Sequence, residues 1–162
     1  MAIDLNAFGQ STAKGKLELT PNGNIFSAKI TAGSNVTLEP GMAVELDGSS
    51  TGAMLTVKPV SSGLIYGFIP LVHKNNALGL TTTITETIEV ASKGCVMTME
   101  AGEAIARGDY VKYDATNIQV NEADTAGDSI VGIALDASSA SGDLIRVYIL
   151  APNAPAVIPA SA

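Results

Sequence analysis

Pro40-Gly41-Met42-Ala43-Val44-Glu45-Leu46-Asp47 and Arg107-Gly108-Asp109-Tyr110-Val111-Lys112-Tyr113-Asp114 align without a gap. Gly41 falls on Gly108, Val44 on Val111, Leu46 on Tyr113 and Asp47 on Asp114. In both stretches a glycine stands just before residues that alternate polar and apolar. That is the pattern of a tight turn feeding a half-buried strand. An Ala-Gly pair precedes each, Ala32-Gly33 and Ala101-Gly102. The same residue types also begin unrelated strands, but the gap-free match reads as one motif used twice.

Working outward, each copy crosses a polar or Gly/Ser-rich stretch and reaches a strand with a glycine at its centre. These strands are 64–69 around Gly67 and 130–135 around Gly132. A glycine inside a strand marks a bulge or the close approach of another backbone. Each copy then ends on an alternating strand, 85–90 and 144–149, and the first carries an extra segment, 73–83, before that strand. Repeat one therefore covers about 30–93 and repeat two about 97–150. The expected fold class is all-β: a compact β-barrel or β-sandwich built from a duplicated β motif, with one β domain over 16–150. One barrel and two lobes both remain open.

Upstream, Lys16–Thr20 and Phe26–Ile30 alternate around Pro21-Asn22-Gly23-Asn24, which predicts a β-hairpin with Gly23 in its turn. Residues 1–15 show isolated apolar positions (Ile3, Leu5, Phe8) and no period, so an extended N-terminal arm is expected. The tail, 151–162, carries Pro152, Pro155 and Pro159 and is expected to be extended or polyproline-like. Residues 97–106 contain helix formers interrupted by Gly102, enough for at most one helical turn.

Composition agrees with a turn-rich β protein. The 162 residues are 46% hydrophobic and 15% charged, against about 25% charged in an average chain. The length suffices for a substantial core. A single cysteine excludes a disulfide scaffold, and modest charge with high apolar content argues against disorder. No apolar stretch reaches the roughly 18 residues of a membrane helix. The start, Met1-Ala2-Ile3-Asp4, has neither a basic nor an apolar leader region, so a soluble protein made in the cytoplasm is expected. Net charge is −7, the wrong sign for wrapping nucleic acid. The imbalance lies late in the chain, where Arg107, Lys112 and Arg146 face nine acids from residue 94 onward.

Catalytic constellations are sparse. His73 is the single imidazole and has no Gly-x-Ser-x-Gly elbow to serve, so it reads as a loop or strand-end residue. Cys95 has only Lys93 and Glu100 as local charges and reads as a buried thiol. Glu122, Asp124 and Asp128 share a short loop but lack the EF-hand spacing, and a solvated acidic loop is the simpler reading. Asp47 and Asp114 recur at matching positions as carboxylates leaving a strand into a turn. Gly48-Ser49-Ser50-Thr51-Gly52 has no Lys-Ser/Thr after it and reads as a hairpin loop, not a phosphate cradle. No enzyme, metal or cofactor is expected.

Two segments carry a family resemblance. Ala101 to Val111 reads Ala-Gly-x-Ala-Ile-x-x-Gly-Asp-x-Val, and Ile130 to Val147 reads Ile-Val-Gly-Ile-Ala-Leu-Asp-Ala-Ser-Ser-Ala-Ser-Gly-Asp-Leu-Ile-Arg-Val. Together they resemble the capsid cement, or decoration, proteins of tailed bacteriophages, most densely over 97–150 and less over 30–95. A similar Gly-Asp-x-Val turn occurs in small β-clip domains, but those of enzymes need catalytic groups that this chain lacks. The resemblance implies a β-rich virion protein on the outer surface of an icosahedral head. It implies the major capsid protein and the chain itself as partners, commonly as a homotrimer at three-fold or quasi-three-fold positions, stabilising the shell. Nucleic acid and membrane are not expected partners. On this reading the arm makes the capsid or inter-subunit contact, through Leu5, Phe8, Lys14 and Lys16. Gly23, Gly41, Gly67, Gly108 and Gly132 serve as turn and strand glycines. The alternative is a virion-surface glycan-binding (adhesin) module, which needs an exposed aromatic platform; Tyr66, Phe68, Tyr110, Tyr113 and Tyr148 are all expected in strands and in the core.

Overall fold

The computed structural model describes residues 13–18, 20–32, 38–48, 54–61, 64–71 and 84–152. A closed barrel is formed by β2 (Ile25–Ala32), β3 (Ala43–Leu46), β4 (Thr56–Pro59), β5 (Ile65–Phe68) and β6 (Ile84–Ala91), in the order β2-β4-β3-β5-β6. A second, more open sheet holds β1 (Leu17–Glu18), β7 (Val96–Glu100), β8 (Tyr110–Asp114), β9 (Gln119–Glu122), β10 (Gly132–Ala134) and β11 (Leu144–Ile149), in the order β1-β7-β11-β10-β8-β9. The fold is all-β, as expected, and consists of a closed five-stranded barrel and a second, more open sheet.

Alternation decides what faces inward. In β2, Ala28 and Ile30 are buried while Ser27 and Lys29 are exposed; in β11, Ile145, Val147 and Ile149 are buried around exposed Arg146. Each such valine or isoleucine withdrawn from water contributes about 1.5–3 kcal/mol. Val44, Val57, Ile69 and Ile88 complete the barrel interior.

The pairings of the two units correspond strand for strand. β2 pairs antiparallel with β6 as β7 does with β11, and β3 pairs with β4 and β5 as β8 does with β9 and β10. The barrel closes through a parallel contact of β2 with β4, Lys29 against Thr56 and Ile30 against Val57. In the second unit the matching contact shrinks to one parallel bridge, Ala101 with Val120. The register agrees as well, since Val44 faces Gly67 and Val111 faces Gly132.

The expected hairpin between residues 16–20 and 26–30 does not form. β1 pairs with β7 (Leu17 with Met97, Glu18 with Val96), whereas both edges of β2 are taken by β4 and β6. Pro21-Asn22 does make a turn, closed by Gly23 N–H donating to Thr20 O at 3.1 Å, but the turn carries the chain from sheet to barrel. Nor is there a helical turn at 97–106, because β7 fills its first half between β1 and β11.

The chain crosses between the units at two adjacent turns. Asn24 N–H donates to Lys93 O (3.1 Å), Ser92 N–H to Asn24 O (2.9 Å) and Thr20 Oγ1 to Gly94 O (2.6 Å). Gly94 has φ +89° and lies against the Asn22 carbonyl, so no side chain fits there. Farther along the junction, the Tyr113 hydroxyl accepts from Ala43 N–H at 3.1 Å, and its ring meets Phe68 edge-on with centroids 5.6 Å apart. Burial pushes the Tyr113 phenol up to about 12. Two outcomes follow. Tyr113→Phe leaves a strand N–H without its acceptor and should cost about 1–3 kcal/mol in denaturant melts. In the native chain, the stabilising neutral phenol is fully present below its unfolded value near 10 and is lost as pH rises toward about 12. Ultraviolet titration should therefore show one phenol ionising late, together with unfolding.

Candidate functional site

The expected contact residues of the arm separate into two groups. Leu5 and Phe8 lie outside the described residues. Lys14 and Lys16 are described and belong to a short strap across the junction. Gly15 is buried there with φ +79°; its N–H donates to Thr98 O and its carbonyl accepts from Leu71 N–H, both at 2.7 Å. A side chain at Gly15 would strike Pro40. Lys16 O accepts from Thr98 N–H at 2.8 Å, which makes the strap the start of the β1 ladder. The Lys14 stem lies over Gly41, and its ammonium pairs with Glu100 at 3.4 Å. Glu100 also accepts from the Gln119 amide. The strap thus holds barrel and sheet together with groups of its own chain.

Each glycine has its own reason. Met42 N–H donates to Glu39 O (3.2 Å) and Asp109 N–H to Ala106 O (3.3 Å), with Gly41 at φ +85° and Gly108 at φ +98° as the third residue of each turn. That position in a type II turn demands a left-handed residue. Gly67 and Gly132 are strand glycines pressed against the neighbouring backbone, and the ladder bulges at Tyr66 beside Gly67. Gly23 does not have the positive φ that its Asn-Gly sequence suggested; it is small because Thr20 and Cys95 crowd it.

The chemically suggestive residues are tied up in structure. Cys95 is buried, and desolvation pushes its thiol up, away from thiolate chemistry. His73 lies outside the described residues. Asp128 pairs with Lys112 at 2.8 Å and caps Thr125 N–H. Asp114 accepts from Asn117 Nδ2 and Thr116 N–H, both at 2.8 Å, while Asp47 accepts from Thr31 Oγ1 at 2.9 Å. The two aspartates keep their turn positions with different partners. Among the described residues, no group of three or more His, Cys, Asp or Glu side chains is placed to hold a metal ion.

Four carboxyls, two of them just described, share an electrostatic consequence. Asp114 is held below the usual carboxylate range by Asn117, Asp128 by Lys112, Asp136 by the two-pronged Arg146 contact (2.8 Å from each of two nitrogens), and Asp143 by the Ser139 N–H and hydroxyl. Depressed carboxyls stabilise the fold above their unfolded value near 3.9 and lose that contribution as pH falls through their folded values. Glu122, pushed up by Asp109 and its other acidic neighbours, works in the opposite direction. With four against one, thermal melts should give a flat midpoint above about pH 5 and a falling one below about pH 4. A midpoint that stays flat down to about pH 2 would contradict this balance.

Aromatic side chains are mostly engaged within the fold. Phe26 stacks edge-on with Tyr66 (5.4 Å) and Phe68 with Tyr113, but Tyr110 is 48% exposed, contrary to its expected place in the core. The alternation of β8 points Val111 inward, and Tyr110 therefore faces out. The sequence reading also missed an exposed apolar group on the barrel: Leu46, Met54, Leu55 and Leu64. Its only signal in the sequence was Met54-Leu55 directly after a Gly/Ser-rich loop.

The family model described as phage cement protein matches residues 27–149, which take in most of both β units. No curated protein matches the chain. Among solved structures it is similar to the head fiber gp8.5 N base in bacteriophage phi29, with 15% identity over 78% of this chain and 93% of that one, at a TM-score of 0.43.

Proposed function

The chain belongs to the phage cement protein family, and we propose that it binds the outer surface of an icosahedral phage head and bridges neighbouring major capsid subunits. It is a structural protein of the virion and not an enzyme. The observation that carries the proposal is the extent of the family match, residues 27–149. Low charge and a closed barrel suit the role. A barrel has no free strand edge to aggregate, and uncharged surface packs against protein without burying unpaired ions.

Within this reading the two β units are copies of one motif, supported by matching pairings and glycine positions. Residues 16–150 act as one β domain, flanked by an arm and the tail from 151 onward. The arm's contact residues narrow to 1–12, with Leu5 and Phe8 as anchors, because Lys14 already pairs with Glu100 and Gly15 is packed into the junction. A homotrimer at three-fold or quasi-three-fold positions multiplies weak contacts into firm attachment. Heads prepared without this protein test the arm. The full chain is expected to pellet with them, while a chain lacking residues 2–12 melts normally but stays in the supernatant. Undiminished binding by the shortened chain would remove the arm from the contact. Specific binding on a glycan array would instead favour the adhesin reading.

A further inference from the structure

The barrel's closure reaches only part of β2. β4 meets β2 at Lys29 and Ile30, where Lys29 N–H donates to Leu55 O at 2.9 Å. Backbone groups of a strand alternate between its two edges. Ile25 and Ser27 therefore aim their N–H and C=O groups to the same side as Lys29, before the contact with β4 begins. Among the described residues, none pairs with them on that side. Ser27 is exposed, Ile25 is 38% exposed and Phe26 is half-buried.

The second unit shows the same place filled. Ile25 pairs with Ala91 as Val96 pairs with Tyr148, and Ile30 meets Val57 as Ala101 meets Val120. Ile25, Phe26 and Ser27 thus correspond to Val96, Met97 and Thr98. Those three are buried, and β1 is the strand that lies against them. Thr98 O accepts from Gly15 N–H at 2.7 Å, Thr98 N–H donates to Lys16 O at 2.8 Å, and Leu17 faces Met97. One unit has its covering strand, and the other has the bare counterpart.

The chain that covers β7 continues upstream into residues 1–12, which lie outside the described residues. Extended, that length spans about 40 Å. It contains Asp4-Leu5-Asn6, an apolar residue between two polar ones, as β1 has Lys16-Leu17-Glu18. Three residues make no period, but β1 itself needs no more. Direction decides whose overhang the arm meets. Followed toward its N-terminus, the strap runs antiparallel to β7, from the crossing turns to Glu100, where Lys14 pairs. The overhang instead begins beside Asn24, within the crossing turns. The arm therefore departs away from the overhang of its own chain. Charge is balanced at this place, with Lys29 next along β2 and Glu89 opposite Ser27, so backbone and apolar contacts choose the occupant.

We infer that Ile25–Ser27 receives the N-terminal arm of a second copy of this chain as an added antiparallel strand, with Leu5 over Phe26. The inference rests on the arm reading above and names what the arm takes hold of. Main-chain pairing supplies the attachment and the apolar side chain its specificity. An arm in one copy and an overhang in the next make a head-to-tail contact, which three copies can close into a ring.

Disulfide trapping between copies tests the inference. Asp4→Cys, set opposite Ser27 as Lys16 stands opposite Thr98, is mixed with Ser27→Cys and oxidised mildly with glutathione disulfide. Cys95 is buried and stays out of the exchange. A disulfide joining the two variants is expected, and none to Arg107→Cys, exposed on the second unit. Ser27 N–H should exchange with deuterium about tenfold or more slowly in the full chain than in one lacking residues 2–12. Light scattering should find the full chain associated and the shortened one monomeric, while melts report whether the shortened chain folds. Absence of a disulfide between the variants overturns the inference. So does a double variant that closes its disulfide within one chain, because the arm then covers its own overhang. Ser27 exchange that slows only when heads are added means that a strand of the shell lies there, and the inference is again overturned. Copies that exchange arms yet fail to pellet with heads overturn the cement reading and leave the inference standing.

Discussion

Phe68→Ala is expected to destabilise the protein by about 3–5 kcal/mol, the range for emptying a fully buried aromatic site. Phe68 is wholly buried, pairs with Ala43 and Ala91 in the barrel, and meets Tyr113 of the second sheet edge-on. The core cluster it joins also contains Met97, Val111 and Ile149. Barrel and sheet therefore share one packed interior at this point, and the cavity is felt by both. The loss should appear as one cooperative transition shifted down by on the order of 10 °C in scanning calorimetry. Two separate transitions, with only one shifted, would mean that the units fold independently.

Gly67→Ala and Gly132→Ala form the second large expectation, each costing about 1–3 kcal/mol or more through overpacking. A methyl on Gly67 would stand 2.6 Å from both Ala91 O and Val90 Cγ1; on Gly132 it would stand 2.5 Å from Val147 Cγ1 and 2.7 Å from Tyr148 O. In each case the obstacle includes a backbone carbonyl of the adjacent strand, which cannot turn aside as a side-chain tip can. Gly48 is the control: it has open space and an ordinary φ, so Gly48→Ala should be neutral or stabilise by about 0.4–1 kcal/mol through the unfolded chain. Equal tolerance of all three substitutions in urea melts would contradict the close-packed strand contacts.

Local chemistry made part of this fold legible in the sequence. A glycine before an alternating run describes a turn and strand within a few residues, and the turns at Gly41 and Gly108 with the strands after them are of that kind. The pairing β3–β4 also follows from proximity along the chain. Partner choice over long distances was not legible. Lys16–Thr20 alternates as well as any strand, but nothing in it says that Met97 will be its neighbour while β2 turns to β4 and β6. The parallel closure of the barrel depends likewise on the twist of all five strands. For the candidate surface, alternation assigns Leu46 to the interior, and only the position of the barrel's end exposes it. Nothing in the segment around Lys14 announces its ion pair, because the partner, Glu100, lies far along the chain.

Attachment to the outside of a phage head, as proposed, should raise the stability of the shell. Heads assembled without this protein, incubated with the purified chain and then heated while DNA release is followed, test it most directly. The chain is expected to bind the outer surface saturably and to move release to a higher temperature than in untreated heads. Heads that bind no chain, or bind it and release DNA at an unchanged temperature, would contradict it.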